Sequence, residues 1–123
     1  MNLEIANLPS GIKQVALTGR LDVQGVNAID NRFAFAVTTE KAPVLVDLSA
    51  VEFIASIGMR LLLMNAKALH KRGGRLVLYR AQPLVSEALV TAGIDLLIPL
   101  YDDYDAACAA LLKPASAPQD VAD

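Results

Sequence analysis

The apolar residues of positions 1–18 fall into two short runs around a breaker. Leu3, Ile5 and Leu8 precede Pro9-Ser10-Gly11, and Ile12, Val15 and Leu17 follow it. Apolar runs on either side of such a turn predict a β-hairpin over residues 4–18, with Gly19 ending its second strand. The spacing then changes. Val26, Ile29, Phe33 and Val37 recur at helical intervals with charges between them. Asp22 stands in front of them as a helix N-cap, because a short carboxylate accepts from the exposed N–H groups of a first turn. Pro43 ends this element.

Val44-Leu45-Val46-Asp47-Leu48 is a short apolar run rich in β-branched residues. It predicts a central strand buried on both faces, ending at Leu48. Ser56 is the next N-cap candidate, for a helix running from Ile57 to about Arg72 with Leu61, Leu62, Met64, Ala66 and Leu69 as its apolar stripe. Lys67, His70, Lys71 and Arg72 fill its last turns, where cations meet the negative end of the helix dipole. Gly73-Gly74 supplies the left-handed stop. Residues 75–79 predict another strand, and residues 83–92 a helix that Pro83 starts and Gly93 stops. Residues 98–100 predict a short edge strand, and residues 102–112 an Ala-rich helix with acidic residues in its first turn.

The order β-β-α-β-α-β-α-β-α predicts an α/β fold: a mixed, mostly parallel sheet of four to five strands with about four helices. Residues 1–112 are read as a single domain and residues 113–123, rich in Pro and Ala, as a disordered C-terminal tail. In sheets of this kind, sites form where strand ends lead into helix starts. The segment from Leu48 to Ser56 is therefore where function is sought.

Composition narrows the classes. With 123 residues, 54% of them hydrophobic, the chain is long and apolar enough to bury a core. No uncharged run approaches the about 20 apolar residues of a membrane span, and no signal core opens the chain. A cytoplasmic protein without membrane insertion is expected. A net charge of −2 and 5% aromatic residues give neither a basic footprint nor stacking rings for nucleic acid. One cysteine, Cys108, rules out an internal disulfide and any multi-Cys metal site.

Catalytic signatures are nearly absent. There is no glycine-rich phosphate loop, dinucleotide fingerprint or zinc spacing, so no cofactor or metal is expected. Cys108 lies among small apolar residues and reads as a small buried thiol. Ser56 and His70 stand at opposite ends of one predicted helix, about 21 Å apart at a rise of about 1.5 Å per residue, so they cannot share a proton. Ser56 itself remains. A serine at a helix start is either a plain cap or an acceptor whose phosphate would meet unpaired N–H groups. Gly58 would allow close approach at the first turn.

The segment Val46-Asp47-Leu48-Ser49-Ala50-Val51-Glu52-Phe53-Ile54-Ala55-Ser56-Ile57-Gly58-Met59-Arg60-Leu61-Leu62-Leu63 resembles the signature of STAS domains, the fold of anti-sigma factor antagonists. Leu17-Thr18-Gly19-Arg20-Leu21-Asp22, Gly73-Gly74-Arg75-Leu76-Val77-Leu78 and Leu89-Val90-Thr91-Ala92-Gly93-Ile94 are similar to further family segments. Together they cover about residues 12–112. The resemblance implies a STAS-like fold and a non-enzymatic switch. In that family an antagonist binds an anti-sigma factor that is also a serine kinase, and thereby frees the sigma factor for transcription. The kinase phosphorylates a serine at a helix start, the antagonist lets go, and a serine phosphatase resets it. That serine corresponds to Ser56. The implied partner-binding residues are Asp22, Ser56, Gly58, Met59 and Arg60.

The sequence departs from the pattern beside that serine. Ala55 stands where the family often has Asp, and Ile57 where it often has Ser or Thr. The alternative reading is thus a non-phosphorylated structural STAS subunit of a signalling assembly or of a lipid ABC transporter, with Ser56 as a helix cap.

Overall fold

The computed structural model describes residues 1–113; residues 114–123, nearly all of the expected tail, lie outside the described residues. Five strands and four α-helices follow in chain order: β1 (Asn2–Asn7), β2 (Lys13–Leu21), α1 (Val23–Thr38), β3 (Pro43–Ile54), α2 (Ser56–Lys71), β4 (Arg75–Tyr79), α3 (Pro83–Thr91), β5 (Leu100–Tyr101) and α4 (Tyr104–Leu112). The strands form one sheet in the order β1-β2-β3-β4-β5. The β1–β2 hairpin is antiparallel and every other pairing is parallel. The expected mixed, mostly parallel sheet is therefore present.

Side-chain alternation along the central strands divides the core in two. Val44, Val46 and Leu48 of β3 and Leu76 and Leu78 of β4 face α1, α2 and α3, where Ile29, Phe33, Leu62, Leu69 and Leu89 close a large cluster. The intervening Leu45, Val77 and Tyr79 face the other way, against Ala107 and Leu111 of α4. Lys13 is buried at the start of β2, where its Nζ donates to the Ala36 carbonyl at 2.8 Å. This supplies a cation to the end of α1, whose own last turn carries none.

Four boundaries differ from expectation. Gly19 does not end β2: at φ +118° it lies inside the strand, next to a register shift at Gly19/Arg20, and β2 continues to Leu21. Pro43 does not close α1, which stops at Thr38, but opens β3. β3 does not end at Leu48 and runs on to Ile54. Beyond Asp47 it leaves β4 and pairs only with β2. Lacking a cover on both faces, Ser49, Ala50, Glu52 and Phe53 are exposed and read as loop. The last strand starts at Leu100 rather than Ile98, because Pro99 has no N–H to give a ladder and contributes only its carbonyl, to Leu78 N. A single 3₁₀ turn, Ile94–Leu96, precedes it after Gly93 in the left-handed region. Cys108 is half-buried beside the smaller cluster rather than fully enclosed.

Candidate functional site

The long β2–β3 ribbon carries two helix starts side by side. Arg20 pairs with Phe53 and Leu21 with Ile54, so α1 and α2 both begin at the same sheet end. The Ala55 N–H donates to the Leu21 carbonyl at 3.0 Å, which ties the second helix start to the first.

Asp22 is the N-cap of α1, as its place before the apolar stripe predicts. One carboxylate oxygen accepts from Gly25 N at 2.9 Å and the other lies 3.3 Å from Arg20 Nε. The Gly25 N–H first, and then the Arg20 cation, hold the Asp22 carboxyl below its ordinary range. The Arg20 guanidinium also sits 4.3 Å above the Phe53 ring centre. A depression of about 350 Å³ lies beside this group, lined by Met1, Gly19, Arg20, Gln24 and Glu52 among others.

Ser56 is not the N-cap of α2. Ala55 holds that position with extended φ −102° and ψ 174°, and no side chain caps the helix. The Ala55 carbonyl accepts from Gly58 N and Met59 N at 2.9 and 3.1 Å, so Ser56 already occupies the first helical position. The shift follows from the Ala55–Leu21 bond, which fixes Ala55 as the last extended residue. Ser56 is exposed, at the positive end of a sixteen-residue helix.

The other expected site residues separate by depth. Arg60 is exposed one turn further on, in a groove between α1 and α2 that Asn27, Asp30, Ile57 and Met64 also line. Met59 is half-buried against the large cluster. Gly58 is buried, and a Cβ there would come within 2.7 Å of the Leu21 carbonyl oxygen and 2.8 Å of Leu21 Cβ. In this chain Gly58 therefore positions α2 and offers no surface. Asp22, Ser56 and Arg60 come together at one end, whereas His70 ends the same helix and Cys108 lies on α4 across the sheet. Arg20, Phe53 and Gly25 were not singled out from sequence. Gly25 was legible as a third-position helix glycine like Gly58, but the Arg20–Phe53 contact depends on a strand register that no local pattern displays.

The arrangement defines an α/β module that presents an exposed hydroxyl and fixed charges on an open surface. The family comparison agrees: a model described as STAS domain matches residues 5–107, and the chain belongs to that family. It is 29% identical over 100 residues to a Bordetella bronchiseptica protein provisionally named anti-sigma factor antagonist BtrV, covering 81% of this chain and 86% of that protein. A crystal structure of an anti-sigma factor antagonist from Mycobacterium paratuberculosis is 27% identical with a TM-score of 0.78, covering 89% of this chain and 92% of that one. An anti-sigma-factor antagonist domain protein from Planctomyces limnophilus has the same TM-score at 24% identity, over 89% of this chain and 96% of that one, and shows the shared fold. No helix among the described residues is long and apolar enough to cross a membrane.

Proposed function

We propose that this protein is an anti-sigma factor antagonist that acts in the cytoplasm as a phosphorylation-controlled binding switch. Residues 1–112 act as one domain. It binds an anti-sigma factor that is also a serine kinase through the surface around Asp22, Ser56, Met59 and Arg60, and so frees a sigma factor for transcription. Phosphate on Ser56 ends the complex, and a serine phosphatase restores it. The observation that carries this reading is the exposed Ser56 at the uncapped first position of α2. A phosphate there meets the free N–H groups and the positive dipole end. It also places a charge near −2 on the surface where the partner would sit.

The test pairs the protein with its cognate kinase and ATP, followed by trypsin and fragmentation spectra. Cleavage after Lys41 and Arg60 leaves Ser49 and Ser56 on one peptide, and the fragments assign the phosphate. Phosphate on Ser56, together with weakened kinase binding by Ser56→Asp in titration calorimetry, is the expected result. Phosphate elsewhere, or unchanged affinity, overturns it. A second reading rests on Ala55 and on Ile57, which packs against the large core cluster. Neither offers the polar neighbour common beside such a serine. On that reading the chain is a structural subunit of a signalling assembly or a lipid transporter, and Ser56 stays unmodified under every growth condition.

A further inference from the structure

The opposite end of α2 carries a second surface with a different character. Leu63 on α2, Leu76 on β4, and Leu97 and Pro99 before β5 form an apolar groove of about 350 Å³. Lys67, His70, Lys71 and Arg75 line the same groove. Lys67, His70 and Lys71 are exposed, while Arg75 is held in place by donating to the Ala110 carbonyl at 2.6 Å. Leu97 is 62% exposed. Two more cations lie at this end of α2, outside the groove: Arg72 reaches the Thr39 carbonyl at 3.4 Å, and Lys41 lies beside Gly73. In a chain of net charge −2, this concentrates positive charge at one pole. The helix dipole accounts for cations in the last turn of α2. Arg75 serves the last turn of α4 in the same way, through the Ala110 carbonyl, but neither helix end accounts for exposed leucine between the charges. Among the described residues, carboxylates pair with Lys13 and Arg20 and with none of Lys67, Lys71 and Arg75.

We infer that this groove is a second docking site, and that its occupant is an acidic amphipathic segment of a partner protein. Apolar side chains of that segment fill the leucine-lined floor, and flanking Asp or Glu side chains meet Lys67, Lys71 and Arg75. The surface fits other anions less well. No Phe, Tyr or Trp lines the groove, so a nucleic-acid base has no large ring to stack on. Its floor is a recess, which suits inserted side chains better than a flat lipid surface. Its α2 lining, Leu63 to Lys71, lies about 10 to 22 Å from Ser56 along α2 at a rise of about 1.5 Å per residue. It is thus independent of the switch proposed above, and a bound segment there leaves the Ser56 end free.

The test follows backbone amide shifts of the full chain during titration with a short synthetic helix bearing leucine on one face and glutamate on the other. Saturable shifts at Leu63, Lys67, Lys71 and Leu97 are expected, with Ser56 unmoved. The K67E/K71E double variant should bind that peptide at least about tenfold more weakly and take up the matching lysine peptide instead. Both substitutions are at exposed positions, and an unchanged amide spectrum elsewhere confirms the fold. Leu97→Ser should weaken binding with all charges intact, and Ser56→Asp should leave it unchanged. The inference fails if millimolar peptide moves none of these amides, or if the lysine peptide binds the native chain equally well. It also fails if phosphatidylglycerol vesicles or single-stranded RNA bind the groove more tightly than the peptide, or if the groove amides shift on concentration of the protein alone.

Discussion

The starts of α1 and α2 are built on one plan with one difference. Each helix begins where a strand of the β2–β3 ribbon ends, and each has glycine three residues after its cap, Gly25 after Asp22 and Gly58 after Ala55. In both, that glycine presses on the end of β2: a Cβ on Gly25 would overlap the Arg20 carbonyl oxygen, and one on Gly58 would crowd Leu21. The difference is the cap. Asp22 satisfies an N–H of its helix and is held by Arg20, whereas Ala55 has no side-chain oxygen to offer. One start is closed by a charged side chain; the other, whose equivalent Gly58 N–H the Ala55 carbonyl takes at 2.9 Å, is left open only to a side-chain cap. The open start also carries the exposed serine.

The shared plan is where substitution should cost most. Gly25→Ala drives a methyl group into backbone that cannot swing aside. It should destabilise the fold by about 3 kcal/mol, the upper end of the overpacking range, even though alanine favours the helix by about 1 kcal/mol. Gly58→Ala meets its nearest atom at 2.7 Å and should cost about half as much. Urea denaturation ranks the two. An equal or reversed ranking would show that the second helix start is the more tightly seated, against the geometry.

Much of this end was legible in the chain, and the exceptions have physical causes. Asp22 declares itself because a carboxylate before an apolar helical stripe has few other uses. Gly73 does so because it follows the last turn of α2 and takes φ +88°. Ser56 misled by one position. Serine is the better capping residue, but the cap falls where the chain leaves its strand, and the Ala55–Leu21 hydrogen bond decides that. The end of β3 hid for a related reason. Its last residues pair with one neighbour instead of two, so buried Leu48, Val51 and Ile54 recur every third residue and lose the alternation that marks a strand.

If the lack of a cap is the true difference, it can be repaired. Ala55 already has the extended backbone of a capping residue. Ala55→Asp should therefore raise the stability by about 1 kcal/mol, read as a higher urea midpoint with an unchanged slope. No gain would mean that the Ala55 carbonyl, which already takes the Gly58 N–H, and solvent together satisfy this start.

The closed start should in turn respond to acid. The Asp22 carboxyl lies below its ordinary value of 3.8 when folded. Its contribution is thus complete above the unfolded pKa and declines as pH falls through the ordinary carboxylate range towards the folded pKa. Asp22→Asn keeps an oxygen for Gly25 N but removes the charge. The variant should be less stable than the native chain at about pH 7, and the gap should narrow as pH falls below the ordinary carboxyl value of 3.8 and close once the native carboxyl gains its proton. A gap that persists in acid would assign the stabilisation to shape rather than charge.

The smallest effect on stability belongs to Ser56, and its smallness is informative. A capping serine replaced by alanine costs about 1 kcal/mol. Ser56 lies one residue inside the helix and is exposed, so Ser56→Ala should change stability by no more than about 0.5 kcal/mol. Ser56→Asp should be neutral or stabilising by about 0.3–1 kcal/mol, because a carboxylate in the first turn meets the positive end of the helix dipole. Thermal unfolding of the three proteins checks this, and a marked loss in either variant would return Ser56 to a structural role. With both variants fully folded, any loss of kinase binding by Ser56→Asp has to arise at the surface. A helix start that tolerates hydroxyl, methyl or carboxylate without strain can gain and lose phosphate without touching the core, which is what a reversible switch at this position requires.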